Sequence, residues 1–155
     1  MGVLTDDMQR VIGEQQLGFI ATVTPDGQPN LSPKGSTKVF DGDHLIFADI
    51  ASPTTVANLR ANSAIEINVV DPIVRKGYRF KGRAEVFASG DRFDELLAVL
   101  RNSGSTNPIN SIVLMTVESA AALWSPAYDQ GQTEAQVVTQ WEAKHDALKA
   151  RRESE

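Results

Sequence analysis

Phe19-Ile20-Ala21-Thr22-Val23-Thr24-Pro25-Asp26-Gly27 is the stretch on which the fold turns. Its first six residues are apolar, aromatic or β-branched types that suit a pleated, half-buried surface, so they read as a strand. Pro25-Asp26-Gly27 then reads as a turn, with proline presetting φ and glycine supplying a positive one. A second strand follows, from about Pro29 to Phe40. Pro33 and Gly35 interrupt its character. Proline cannot donate to a ladder, so this strand is expected at a sheet edge or bulged, and a bulge over Ser32 to Ser36 would leave main-chain groups free for a ligand. Asp41-Gly42-Asp43 is the next turn and His44 to Ala48 the third strand. Three strands this close in sequence pair most economically as an antiparallel meander.

Outward from this core, Thr5 caps a first helix carrying Met8, Val11 and Ile12 on one face, with Gly18 as its stop. Ser52-Pro53-Thr54-Thr55 opens a short helix, Ser52 at the cap and Pro53 at the first helical position. Ile65, Ile67 and Val69 alternate with polar residues in a strand from Ala64 to Val70. Tyr78, Phe80, Gly82, Ala84 and Val86 do the same from Tyr78 to Val86, with Arg79, Lys81, Arg83 and Glu85 on the other face. Phe93, Leu96, Leu97 and Leu100 have helical spacing. A small-polar loop spans Asn102 to Asn110, before a last strand from Ser111 to Leu123. Thr133 and Gln136 form a capping box for a helix with Val137, Trp141 and Leu148 on one stripe. The pattern predicts one domain over residues 1–155, mainly β in an α+β arrangement. It comprises a six-stranded antiparallel barrel over about residues 17–125, short helices, and a C-terminal helix over about residues 133–150.

Composition narrows the function. The chain has 155 residues, no cysteine and a net charge of −5 from 15 basic and 20 acidic residues. Lack of cysteine removes disulfides, thiolate metal sites and thiol catalysis, and suits a reducing cytoplasm. The acidic balance argues against a nucleic-acid partner, whose footprint is a basic face. No apolar run reaches the roughly 18 residues of a membrane span, and the start lacks the apolar segment of a signal peptide. His44 and His145 lie on different elements without ligand-spaced neighbours, so no metal site is expected. There is no Gly-x-Ser-x-Gly elbow and no glycine-rich phosphate loop. A chain so poor in catalytic side chains binds something or borrows its chemistry from a cofactor.

Several ordered pieces carry a resemblance. They are Gly18-Phe19-Ile20-Ala21-Thr22, Gly27-Gln28-Pro29-Asn30 leading into Ser32-Pro33-Lys34-Gly35-Ser36, and Asp41-Gly42-Asp43-His44-Leu45-Ile46-Phe47-Ala48-Asp49. After them come Ser52-Pro53-Thr54-Thr55-Val56-Ala57-Asn58-Leu59 and Gly77-Tyr78-Arg79-Phe80-Lys81-Gly82-Arg83-Ala84-Glu85-Val86. In this order and spacing the chain resembles the pyridoxamine 5′-phosphate oxidase-like family of FMN-binding split barrels. The resemblance implies a homodimer with FMN between its subunits. It implies a flavin-dependent oxidoreductase acting on a small-molecule electron donor or substrate. The isoalloxazine edge would meet backbone at Ser32, Pro33, Lys34, Gly35 and Ser36 and at Phe47, Ala48 and Asp49. The phosphate would sit at the helix opened by Ser52, where unpaired N–H groups favour an anion. Thr54, Thr55, Asn58 and Lys81 would join the cofactor-binding set. Trp124, with Tyr128 near it, would approach the partner's flavin.

Two departures shape the expectation. Family members commonly place a lysine, often preceded by arginine, where this chain has Pro53-Thr54. A charged hydrogen bond is worth about 1.5–3 kcal/mol, so its loss weakens affinity by roughly 10- to 150-fold. Lys34 is the nearest compensating cation, with Arg79, Lys81 and Arg83 as further candidates. The family's substrate-binding Arg-Leu-x-Pro ending is also missing, so a genuine pyridoxamine phosphate oxidase is not expected. No spacing motivates a catalytic acid or base. Alternatives within the same fold are a non-catalytic flavin-binding or electron-carrying protein, or a barrel that uses deazaflavin or haem instead of FMN.

Overall fold

The structure is a computed structural model that describes residues 2–154. Helix α1 (Asp6–Gln15) leads into strands β1 (Gly18–Val23), β2 (Pro29–Lys34), β3 (Lys38–Val39) and β4 (His44–Asp49). Helix α2 (Pro53–Ala61) precedes β5 (Ala64–Asp71) and β6 (Lys76–Phe87). Then follow α3 (Asp91–Asn102), β7 (Ser111–Trp124), the short α4 (Pro126–Asp129) and α5 (Glu134–Glu153). Among the described residues no helix is long and apolar enough to cross a membrane.

All seven strands form one antiparallel sheet in the order β2-β1-β5-β6-β7-β4-β3. The two strands at opposite edges, β2 and β3, are consecutive in sequence with only residues 35–37 between them. At 3.8 Å per Cα step, Lys34 and Lys38 stand at most about 15 Å apart. Six gaps of roughly 4.8 Å would hold the edges of a flat sheet about 29 Å apart. The sheet must therefore curl until its edges meet. The result is a barrel split along the seam between β2 and β4, with the short β3 lying across part of it.

Side-chain alternation fills the barrel from every side. Ile20, Phe47, Ile67, Phe80, Val113 and Met115 are fully buried inside it, and Ile12 of α1 plugs one end. A second cluster forms on the outer face of β4 and β7, where Ile46, Ala48, Ile112 and Leu114 pack under Leu96 and Leu100 of α3. Burial on both faces explains why β7 begins as a continuous apolar run rather than an alternation.

Seven strands replace the expected six because the segment from Pro29 to Phe40 is two strands, not one. The expected bulge within Ser32 to Ser36 is absent. β1 and β2 pair in unbroken register from Val23↔Pro29 to Gly18↔Lys34, and Phe19 faces Pro33 directly. Proline is tolerated there because β2 is an edge strand. The chain leaves the ladder after Lys34 and turns over Gly35 and Ser36. The sheet's irregularity lies elsewhere, between Lys81 and Gly82 of β6, where β7 contributes an extra residue. Gly18 is not a helix stop: Gln16, at φ 52°, caps α1 in the left-handed region. Ser52 makes no side-chain cap to α2. The capping box of α5 is formed as read, with Thr133 N donating to Gln136 Oε1 (2.8 Å) and Gln136 N to Thr133 Oγ1 (3.3 Å). Helix α5 is docked chiefly through its first two turns, where Val137 is buried, Lys76 meets Glu134 (2.8 Å) and Arg75 lies over the Trp141 ring (4.0 Å).

Closure of the seam requires a glycine at the start of β1. Thr37 is fully buried and its hydroxyl donates to Lys34 O (2.9 Å). A Cβ at Gly18 would lie 2.5 Å from Thr37 Oγ1. Gly18→Ala should destabilise the fold by about 1–3 kcal/mol through overpacking. Gly13→Ala, on the exposed face of α1 with nothing within 4 Å, should stabilise it by about 0.5–1 kcal/mol. Urea denaturation of the two variants checks the opposite signs.

Candidate functional site

The seam opens into a cleft of about 640 Å³. One wall is the end of β2 and the following turn, Ser32 to Ser36, with Lys38 at the start of β3. The floor is Ala48 and the segment Ile50 to Ser52 that leads into α2. The far wall is Leu100 with Ser103, Gly104, Ser105 and Asn107, from the connection between α3 and β7; Gln16 closes one end.

An unpaired strand edge forms part of this floor. β3 pairs with β4 only through Lys38↔Ile46 and Val39↔Leu45, so the edge of Phe47 to Asp49 on that side has no strand against it. Continuing the register would set Ser36 opposite Ala48. Instead the Ser36 hydroxyl takes the strand's place and accepts from Ala48 N (2.9 Å). An amide satisfied by a side-chain hydroxyl rather than a strand carbonyl can be handed to a ligand acceptor at little net cost.

The electrostatics of the cleft run against those of the chain. Its lining contains Lys34 and Lys38 but no carboxylate, in a protein of net charge −5. Lys34 is buried and its ammonium donates to Ser32 Oγ. It forms no ion pair among the described residues, and burial pulls it below its ordinary value of 10.5, with the charge of Asp49 opposing the shift. An unpaired buried cation is costly until an anion reaches it.

Six of the residues expected to hold a cofactor, Ser32, Pro33, Lys34, Gly35, Ser36 and Ala48, are thus gathered in one cleft. The others lie outside its lining. Phe47 points into the barrel core. Asp49 is buried and committed: it accepts from Ser52 N (2.8 Å) and from Ser111 Oγ (3.2 Å). That places a carboxylate at the entrance to α2, where a phosphate would meet like charge. Thr54 is exposed and Thr55 buried in the first turn of α2. Asn58 is buried and donates to Thr22 Oγ1 (3.0 Å), fastening α2 to β1. Lys81 stands on the outer face of β6, 3.4 Å from Glu66, which Arg79 also holds at 2.8 Å.

Trp124 lies away from the cleft, beside a second pocket of about 360 Å³ that includes Asp7, Arg10 and Tyr78. Its indole N–H donates to Asp129 (3.0 Å), and the Tyr128 hydroxyl donates to Val74 O (2.6 Å). His44 pairs with Asp41 (2.7 Å), and no group of three or more acidic or histidine side chains is placed for a metal among the described residues.

Sequence reading missed Gln16, Lys38, Ile50, Ala51 and the whole far wall, while Ser52 was named as the start of the helix at the expected phosphate seat. The far wall carried one signal, a run of serine, glycine and asparagine in a long loop, and such loops are where function concentrates. Chemically the cleft can orient a flat ring by its edge and neutralise an anion. Among the described residues its lining offers no His, Asp, Glu or Tyr for proton transfer.

Comparisons with known proteins agree with this architecture. The family model described as pyridoxamine 5′-phosphate oxidase matches residues 4–142. The chain is similar to HupZ of Group A Streptococcus, at 30% identity and a TM-score of 0.69, over 78% of this chain and 94% of that one. It shares the fold of an FMN-binding protein from Syntrophomonas wolfei, at 16% identity and a TM-score of 0.65, over 77% and 85% of the two chains. An uncharacterized protein of Methanocaldococcus jannaschii is 29% identical over 90 residues, 57% of this chain; the match spans only 59% of that relative.

The buried ammonium yields a test independent of any cofactor. Lys34→Met should raise the stability of the apoprotein by about 1 kcal/mol, because it removes a desolvated charge and keeps the volume. Lys34 loses its proton at lower pH in the folded than in the unfolded chain. The unfolded chain therefore binds more protons between those two values, and wild-type stability should rise with pH across that alkaline window. The variant should lack this rise. Thermal unfolding between pH 8 and 10.5 measures both.

Proposed function

Because the chain belongs to the pyridoxamine 5′-phosphate oxidase family, we propose that its cleft holds a flavin nucleotide, FMN, and that the protein is a flavin-dependent oxidoreductase. The observation that carries this is the pairing of a cationic, carboxylate-free cleft with a strand edge whose amide is satisfied only by Ser36. Lys34 and Lys38 supply the charge that Pro53-Thr54 does not, so the phosphate sits toward the turn after β2 rather than at the start of α2, where the Asp49 carboxylate accepts from Ser52 N. Ala48 N–H and the main chain of Ser32 to Gly35 orient the ring by its edge. When bound, the flavin supplies the electron-accepting chemistry. The residues of this chain bind it, fix its plane and shield it from water.

A second copy completes the site. Phe19, Ala21 and Val23 of β1 lie opposite Pro33, Leu31 and Pro29 of β2 on the outer face of the sheet. Phe19 is 41% and Leu31 66% exposed. This apolar face runs into the cleft through Pro33, which lines both. A two-fold partner seated there would border the bound ring, and closed two-fold dimers are the commonest symmetric assembly. Among the described residues the lining offers lysines but no His, Asp, Glu or Tyr, which favours a second reading, a flavin-binding electron carrier with no dedicated organic substrate.

Native mass spectrometry of the purified protein should release FMN and give the mass of a dimer. A deazaflavin or a haem in its place would overturn the assignment of cofactor. Turnover of reduced nicotinamide nucleotides separates the oxidoreductase from the carrier. Lys34→Ala should weaken FMN binding by roughly 10- to 150-fold, the value of one charged hydrogen bond, in fluorescence-quenching titrations. Leu31→Asp should convert the dimer to a monomer in light scattering and lower FMN affinity along with it. A dimer that survives Leu31→Asp would place the interface elsewhere.

A further inference from the structure

We propose that residues 103–107 are the wall of the cleft that binds the polyol chain common to flavin and deazaflavin nucleotides, and that Arg101 is the positioning residue that holds this wall in place. The proposal rests on the cleft being the nucleotide site.

The wall is fixed at both ends. Helix α3 stops with Gly104 at φ +92° and with Ser105 N donating back to Leu100 O (3.2 Å). Arg101, in the last turn of α3, reaches over the loop, and one guanidinium nitrogen donates to Ser105 O (3.0 Å) and to Asn107 O (2.8 Å). Arg101 has no carboxylate partner among the described residues, so its hydrogen bonding is spent on the loop's backbone. At the far end Asn110 is tied to the cleft floor, its N–H donating to Asp49 O (2.9 Å) and its side-chain amide to Ile50 O (2.9 Å). A loop anchored to the helix on one side and to the floor on the other presents its side chains without further ordering.

The groups presented are neutral and both donate and accept. The Ser105 hydroxyl and the Asn107 amide make no side-chain hydrogen bond among the described residues. Ser103 Oγ donates to Leu100 O (2.8 Å), leaving its oxygen free to accept. Hydroxyls of a polyol likewise donate and accept, so this wall complements them one for one. The remaining parts of the cleft match the remaining parts of such a ligand. The Ala48 edge, with Ile50 and Leu100 beside it, takes a flat ring, and Lys34 and Lys38 take the anionic end.

Three probes separate the contributions: lumiflavin, which has the ring alone, riboflavin, which adds the polyol, and FMN, which adds the phosphate. Each is titrated against the full-length protein by fluorescence quenching. Arg101→Ala should weaken riboflavin and FMN equally, by about threefold to tenfold, the value of one neutral hydrogen bond. Lumiflavin should be unaffected, and Arg101→Lys should restore part of the loss. Lys34→Ala should weaken FMN alone. Ser105→Ala, which leaves the backbone anchors intact, should show the Arg101→Ala pattern at smaller size and stands in for it if that variant unfolds. Equal loss for lumiflavin, or no loss for riboflavin while Lys34→Ala still weakens FMN, overturns the wall assignment and leaves the nucleotide site standing. Failure of the wild-type protein to bind any of the three overturns the nucleotide site itself, and the wall with it.

Discussion

The two outermost strands of the sheet are neighbours in sequence, and the rest of the structure depends on that constraint. Three residues cannot bridge the width of a flat seven-stranded sheet, so the sheet closes on itself. Closure buries Thr37 beneath the start of β1, which demands the glycine at position 18. It also brings the end of β2 against the free edge of β4. The cleft is thus not an addition to the fold but the place where the fold fails to finish its hydrogen bonding. β3 is two residues long, and where it ends Ala48 must find another partner.

The same seam concentrates charge. Lys34 ends a strand whose outer face carries proline and leucine, and its ammonium reaches back to Ser32, two residues away on the same face of β2. Burial without an ionic partner is unfavourable for the fold, and an anion bound beside it would offset that cost. Asp49 shows the complementary arrangement. Its carboxylate is spent on Ser52 and Ser111, bracing the entry to α2 against β7. The Asp49 carboxylate thus stands beside a helix start that looks from sequence like an anion seat, bonded to the amide of Ser52.

Much of the fold was legible in the residues. The turn at Pro25 to Gly27, the alternation in β5 and β6, the helix at Pro53 and the capping box at Thr133 all stand where periodicity and turn chemistry put them. Two local outcomes had local causes. Proline marks either an edge strand or a bulge, and here it is the edge, since an edge strand has no second ladder for Pro33 to disrupt. Pro29 to Phe40 was read as one strand because both of its halves are β-prone, and only the closing turn separates them. Of the cleft, the Ser32 to Ser36 turn and Ala48 were readable from motif, Lys38 lies just outside the motif, and Ser103, Gly104, Ser105 and Asn107 were not readable, since they are far in sequence from the groups they face.

By itself the sequence determined which segments become strands and helices, that no motif groups side chains of catalytic type, and that the chain carries the motifs of its family. Those properties are local: backbone sterics, side-chain period and composition act over a few residues. Only the tertiary structure decided which main-chain groups lack strand partners, which cation is buried, and which charged groups stand beside each of two plausible anion seats. Those depend on what approaches across the closed sheet, over separations such as the 62 residues between Asp49 and Ser111. Long-range approach is set by the global balance of burial and hydrogen bonding, which no window of sequence contains.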